Sequence, residues 1–213
     1  MSTELRSLVE ATRDSTRDLS HLLPMYRQAI LDEDFKVRDF AVDSMLLRAG
    51  IAHEGEWTAF VEQLQPDDEY IRCVSWLGRY LGPMRGIENA PDSPDHEKRR
   101  QMVLWLIDHY PQTRIHQHVE GKLNHPGDEA AYDVAKSMWL KKQLEFPDKV
   151  DVLSNAAHFF RVREPLLSEE FLSACVKLEP NVQKWQRRLA DLREESATTR
   201  SSGDKDDSHE RGS

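Results

Sequence analysis

The chain has no apolar run approaching the roughly 18 residues that cross a bilayer. Its opening stretch, Met1–Ser20, carries charges throughout instead of the apolar core of a secretion signal. Cysteine is scarce. Cys73 and Cys175 lie far apart, each beside apolar neighbours, a placement that fits buried thiols in a reducing compartment better than a disulfide. A cytoplasmic setting without membrane contact is therefore expected. Glycine (9) and proline (10) are few for 213 residues, so most of the chain is free to be helical. No stretch alternates β-branched and polar residues over five or more positions, which argues against strands. Basic residues are outnumbered 29 to 38, for a net charge of −9. Such a surface repels phosphate backbones, so nucleic acid is excluded as the expected partner. Lys98-Arg99-Arg100 and Gln186-Arg187-Arg188 read as solvated sides of helices. No glycine-rich phosphate loop, GxSxG, HExxH or CxxC occurs.

What remains is helical patterning in a polar chain: 38% hydrophobic and 31% charged residues, with a mean hydropathy of −0.70. A thin helical stack, large in surface and narrow in core, suits that balance. Leu5, Leu8, Val9 and Thr12 share one helix face; Val37, Phe40, Ala41, Met45 and Leu46 share another. Trp57, Phe60, Val61 and Leu64 make a third, and Val74, Leu77, Tyr80 and Leu81 a fourth. Met102, Leu104, Trp105, Leu106 and Ile107 form a richer run ended by Pro111. Ala130, Val134, Met138 and Leu140 mark a helix before Pro147. Gly82–Glu97, with Pro83, Pro91 and Pro94, reads as a loop between two helical halves. From Glu194 onward (EESATTRSSGDKDDSHERGS) no large apolar residue remains, so a disordered tail is expected.

A period runs through the second half. Tyr110-Pro111, Phe146-Pro147 and Glu179-Pro180 each close a helical run, with the prolines 36 and 33 residues apart. Proline forbids continuation of a helix, and this spacing fits paired antiparallel helices. The last unit is the sharpest: Asp148–Asn181 resembles a tetratricopeptide repeat over its full length without gaps. Val152, Asn155, Ala156 and Phe159 fall at the first-helix signature positions. Ser168, Leu172, Cys175 and Pro180 fall at those of the second. Small side chains at Ala156, Ser168 and Cys175 let two helices approach, while Phe159 and Leu172 fill the adjoining space. Asn155, where the family has Leu, and Pro165 near the inter-helix turn depart from the pattern. Val182–Leu192, with Trp185 and Leu189, begins a further helix that would cap the array. The resemblance implies a binding groove. In this register Val150, Leu153, Ala157, Phe160 and Arg161 line it, an apolar strip with one cation, suited to a partner helix and lacking a carboxylate clamp.

The first half resembles HEAT-type repeats more loosely. Leu22-Leu23-Pro24, Asp32, Val37-Arg38, Ala41 and Met45 follow that pattern, with an echo at Asp67-Asp68, Ile71-Arg72 and Ser75. The expectation is an all-α fold, a short α-solenoid of antiparallel helix pairs. It comprises a HEAT-like region (1–82), a loop (83–97), a tetratricopeptide-like region (98–193) and a disordered tail (194–213).

Histidines gather at His109, His116, His118 and His125, with Glu120 nearby. Zinc needs three or four converging ligands at a workable spacing, and this set reads instead as surface residues in a turn-rich segment. No metal or other cofactor is expected. Cys175 falls at a packing position and so reads as core, as do the five tryptophans. The expected function is a non-catalytic scaffold or adaptor binding another protein or peptide segment. A metal-dependent hydrolase using His109–His125 and a structural homo-oligomeric subunit are the alternatives.

Overall fold

The computed structural model describes residues 3–13, 20–44, 69–74, 94–119, 123 and 127–203. The expected faces at Trp57–Leu64 and Leu77–Leu81, the loop from 83 to 93, Asp67-Asp68, His125 and the chain beyond Gly203 lie outside them. The described residues contain helices and no strand. In chain order these are α1 (Thr3–Arg13), a 3₁₀ turn (Ser20–Leu22) leading into α2 (Leu23–Ile30), and α3 (Phe35–Ser44). A helical segment at 69–74 follows, then α4 (Pro94–His109), α5 (His116–Val119), α6 (Glu129–Glu145), α7 (Val150–Phe160), α8 (Pro165–Leu178) and α9 (Gln183–Gly203). None of these is long and apolar enough to cross a membrane. The chain divides into two compact units, Met1–Val134 and Ala135–Ser213. The division falls inside α6, well beyond the 83–97 segment where composition changes.

The three prolines produce one turn three times. Each helix stops two residues before its proline, and the residue between donates its amide to the carbonyl four back: Tyr110 to Leu106 (2.8 Å), Phe146 to Lys142 (2.9 Å), Glu179 to Cys175 (2.9 Å). The residue two after the proline then closes a turn, Thr113 onto Tyr110, Lys149 onto Phe146 and Val182 onto Glu179. Proline at the second position of such a turn fixes the φ it requires and lacks only an N–H that the turn does not use.

In the first unit α1, α2 and α3 pack together, burying Leu5, Leu8, Tyr26, Ile30, Val37, Ala41 and Val42. Pro24 sits in the first turn of α2, where its missing N–H costs nothing. Asp34 caps α3, its carboxylate accepting the Lys36 amide at 2.9 Å, and Asp32 in turn accepts the Asp34 amide at 2.8 Å.

Two expectations are corrected. Helix α4 starts at Pro94, inside the expected 83–97 loop, because proline's fixed φ suits a first helical turn as well as it suits a loop. Its buried stripe is His96, Arg99, Val103, Leu106 and Ile107, so the apolar run read from sequence names only its last two members. In α6 the buried face is Ala131, Ala135 and Trp139, one residue round from the expected Ala130, Val134 and Met138; Val134 is exposed. The fully buried Trp139 indole sets that rotation, since it carries the most apolar area on the helix. Beyond these, α9 runs on through Glu194 to Gly203, so the helix overlaps the start of the expected tail, whose remainder lies outside the described residues. Glu194, Glu195 and Ala197 are good helix formers, and each added residue contributes a backbone hydrogen bond without needing a core.

Candidate binding cleft in the C-terminal unit

Helix α7 is apolar on almost every side and is accordingly buried from Val152 to Ala157 and at Phe159 and Phe160. It pairs antiparallel with α8. The Ser168 hydroxyl donates to the Ala157 carbonyl at 2.7 Å. The Cys175 thiol lies 3.9 Å from the Val150 carbonyl. Seven residues forward on one helix thus match seven back on the other. All seven helical signature residues from Val152 to Cys175 are buried. Phe160 stacks on Phe171, with ring centroids 5.6 Å apart. Burial pushes the Cys175 thiol up to about 12, which makes it a packing group and not a nucleophile.

Helix α9 lies across α8. Arg193 reaches Glu169 at 2.7 Å, and the Trp185 indole donates to Glu179 at 2.6 Å, with Lys184 over the same ring. A cleft of about 40 Å³ opens where the three helices meet. It is lined by Ser154, Ala157, His158 and Arg161 from α7, Ser168 and Leu172 from α8, and Arg188, Asp191 and Leu192 from α9. The positions on α7 recur on α9 at an offset of 34: Ser154 with Arg188, Ala157 with Asp191, His158 with Leu192. Arg161 completes the series by pairing with Glu195, 34 residues on, through Nε (3.1 Å) and a second guanidinium nitrogen. Residues 34 apart in sequence thus meet across this cleft.

This geometry corrects the expected groove. Leu153, Ala157 and Phe160 are interior, and Val150 is half-buried. Only Ala157 and Arg161 touch the cleft. The cleft is turned toward Ser154 and His158, so its lining mixes polar and charged side chains with the apolar Ala157, Leu172 and Leu192. The error was assigning one outward face to a helix that has almost none. Its volume holds one or two waters or the tip of a side chain, and its charged members are Arg161, Arg188 and Asp191, with His158 beside them.

The histidine segment does not converge. His109 is exposed, stacks on Trp105 at 4.7 Å and donates Nδ1–H to the Trp105 carbonyl at 3.0 Å. His116 is buried, with Nε2 at 3.1 Å from the Tyr110 carbonyl. Among the described residues no group of three metal-ligating side chains forms.

Sequence reading missed two polar centres in the first unit. Arg99 was taken as solvated, yet it and Asp128 are both about 1% exposed, with one guanidinium nitrogen at 2.6 and 2.8 Å from the two carboxylate oxygens. Arg100 adds a contact at 3.1 Å. Gly127, at φ 91°, makes the left-handed turn that presents Asp128. The second centre is Asp39, 5% exposed. Its Oδ1 accepts the Tyr70 hydroxyl at 2.9 Å and the Thr113 hydroxyl at 2.5 Å. The Arg114 amide is 3.2 Å from both oxygens. Its Tyr70 donor belongs to a chain of ring contacts of 4.7–5.6 Å that also includes Phe35, Tyr110 and Trp105. Desolvation raises the Asp39 carboxyl to about 6, against the pull of these donors, and it raises the Tyr70 phenol as well. Cys73 beside Met102 is likewise pushed up to about 12 by burial.

No family model matches the chain, and neither a curated protein nor a solved structure is significantly similar to it.

Proposed function

We propose that the chain is a non-catalytic protein–protein interaction module of the cytoplasm, a scaffold or adaptor whose second unit is built on tetratricopeptide-like repeats. The observation that supports this reading is the offset of 34 across the α7–α9 cleft. It places corresponding faces of successive first helices side by side, which is how stacked helical repeats generate an extended binding surface. The partner is a protein segment laid along α7 and α9, with one side-chain tip entering beside Ser154 and polar contacts from His158 and Arg188.

Purification of the tagged full chain from its native cell, followed by calorimetry with the recovered protein, tests this. His158→Glu and Arg188→Glu should each weaken that protein's binding about tenfold or more, the loss typical of a central contact, while leaving the melting temperature in place. Recovery of no stoichiometric protein, or equal affinity for wild type and both variants, refutes the reading.

A further inference from the structure

The geometry around Asp39 points to a function of the first unit that is independent of the cleft. Three oxygens form a closed triangle: Asp39 Oδ1 to Tyr70 Oη at 2.9 Å, Tyr70 Oη to Thr113 Oγ at 3.0 Å, and Thr113 Oγ to Asp39 Oδ1 at 2.5 Å. Each hydroxyl carries one hydrogen. With Asp39 ionised, both hydrogens point at the carboxylate, and the Tyr70–Thr113 edge holds two oxygens at hydrogen-bond distance with no hydrogen between them. One added proton on Asp39 supplies the third hydrogen, and the ring of donors can then run round all three edges. Among the described residues the carboxylate is paired with a cation only at long range. Arg114 Nε stands 3.9 Å from Oδ2 on an exposed side chain, and Arg38, on the same helix, lies 5.9 Å over the Tyr70 ring. Helices α1 and α2, which also pack on α3, are joined to each other by the Thr12 and Tyr26 hydroxyls at 2.9 Å. A buried carboxylate without a full countercharge holds its proton more tightly than an open one.

We propose that Asp39 is a proton-binding switch that pins α3, the 69–74 helix and the Tyr110–Ile115 turn together when protonated and loosens that junction when the proton leaves. The three segments lie 31 and 74 residues apart in sequence, so this one group controls a contact the chain makes nowhere locally. Protonation adds one hydrogen and cancels one negative charge, and the proton comes from solvent. Because the closed form binds the proton more tightly than the open form, the junction is firmest at low pH and loosens as pH rises through the closed-form pKa. With that value near 6 and the ordinary 3.8 when open, the opening constant rises about tenfold between pH 5 and pH 7.5.

Carboxyl-carbon NMR of the labelled full chain, titrated from pH 3 to 8, reads the Asp39 midpoint directly. A midpoint near 6 is expected, and one below about 4.5, the ordinary carboxylate range, overturns the proposal. Amide exchange of Arg114, corrected for its intrinsic rate, should show the tenfold rise in opening, whereas Leu153 in the other unit stays flat. Asp39→Asn should abolish the rise. If that variant does not fold, Tyr70→Phe serves, because losing a donor to the charged form should move the midpoint upward. A wild-type midpoint near 6 with flat Arg114 opening, or a midpoint unmoved in Tyr70→Phe, also refutes the switch, since a merely structural Asp39 gives either result.

Discussion

The two units solve the same problem, joining short helices, by different means. In the second unit α7, α8 and α9 are neighbours in sequence, and small side chains with a few hydroxyls suffice. Ser168 satisfies a carbonyl, Cys175 fills a gap, and the ion pairs Arg161–Glu195 and Arg193–Glu169 stay at the exposed rim. In the first unit, segments distant in sequence are pinned by buried charge, Asp39 with Tyr70 and Thr113, Arg99 with Asp128. Apolar packing is non-directional and tolerates a slide by a turn. A buried carboxylate accepts one set of donors and penalises every other arrangement. Helices adjacent in sequence can rely on the first device, whereas long-range junctions gain specificity from the second.

That contrast can be broken by substitution. Asp128→Ala should be the most damaging change, costing about 3–5 kcal/mol in urea unfolding, because it strands a buried guanidinium. Phe160→Ala, the largest expected loss in the second unit, should cost about 3–4 kcal/mol through a cavity. If it exceeds Asp128→Ala, the charge-pinned account of the first unit fails. Cys175→Ser should cost about 1–3 kcal/mol, since the hydroxyl is buried too far from Val150 O to hydrogen-bond. The native thiols at 73 and 175 should react with a disulfide reagent at pH 8 only as fast as the protein unfolds; immediate reaction would show that one of them is not sealed. Smallest of all, Glu195→Ala should change stability by less than about 1 kcal/mol, as exposed pairs do. A larger loss would mean that this pair, and not the packing, fixes the offset of α7 and α9.

Much of the second unit was legible. Proline positions located two of its helix ends, with a third at Pro111 in the first unit, and the signature residues from Val152 to Cys175 named its core, because spacing along a helix determines which side chains share a face. The cleft was legible only in its period. Position 34 residues on from Arg161 is Glu195, but nothing local says that α7 is wrapped on nearly every side, so Leu153 and Phe160 looked as available as Ser154 and His158. In the first unit the failure was of another kind. Asp39 and Arg99 are charged residues within amphipathic helices, and charge predicts exposure unless a partner is known. The partners Thr113 and Asp128 lie 74 and 29 residues away, beyond any periodic signal.

The sequence by itself therefore determined the helical character of the chain and the helix ends at proline, both of which follow from local sterics and the 3.6-residue turn. Only the tertiary structure decided which polar groups go inside. Burying a charge is favourable solely where another part of the chain delivers hydrogen bonds to it, and that delivery is a property of the folded arrangement alone.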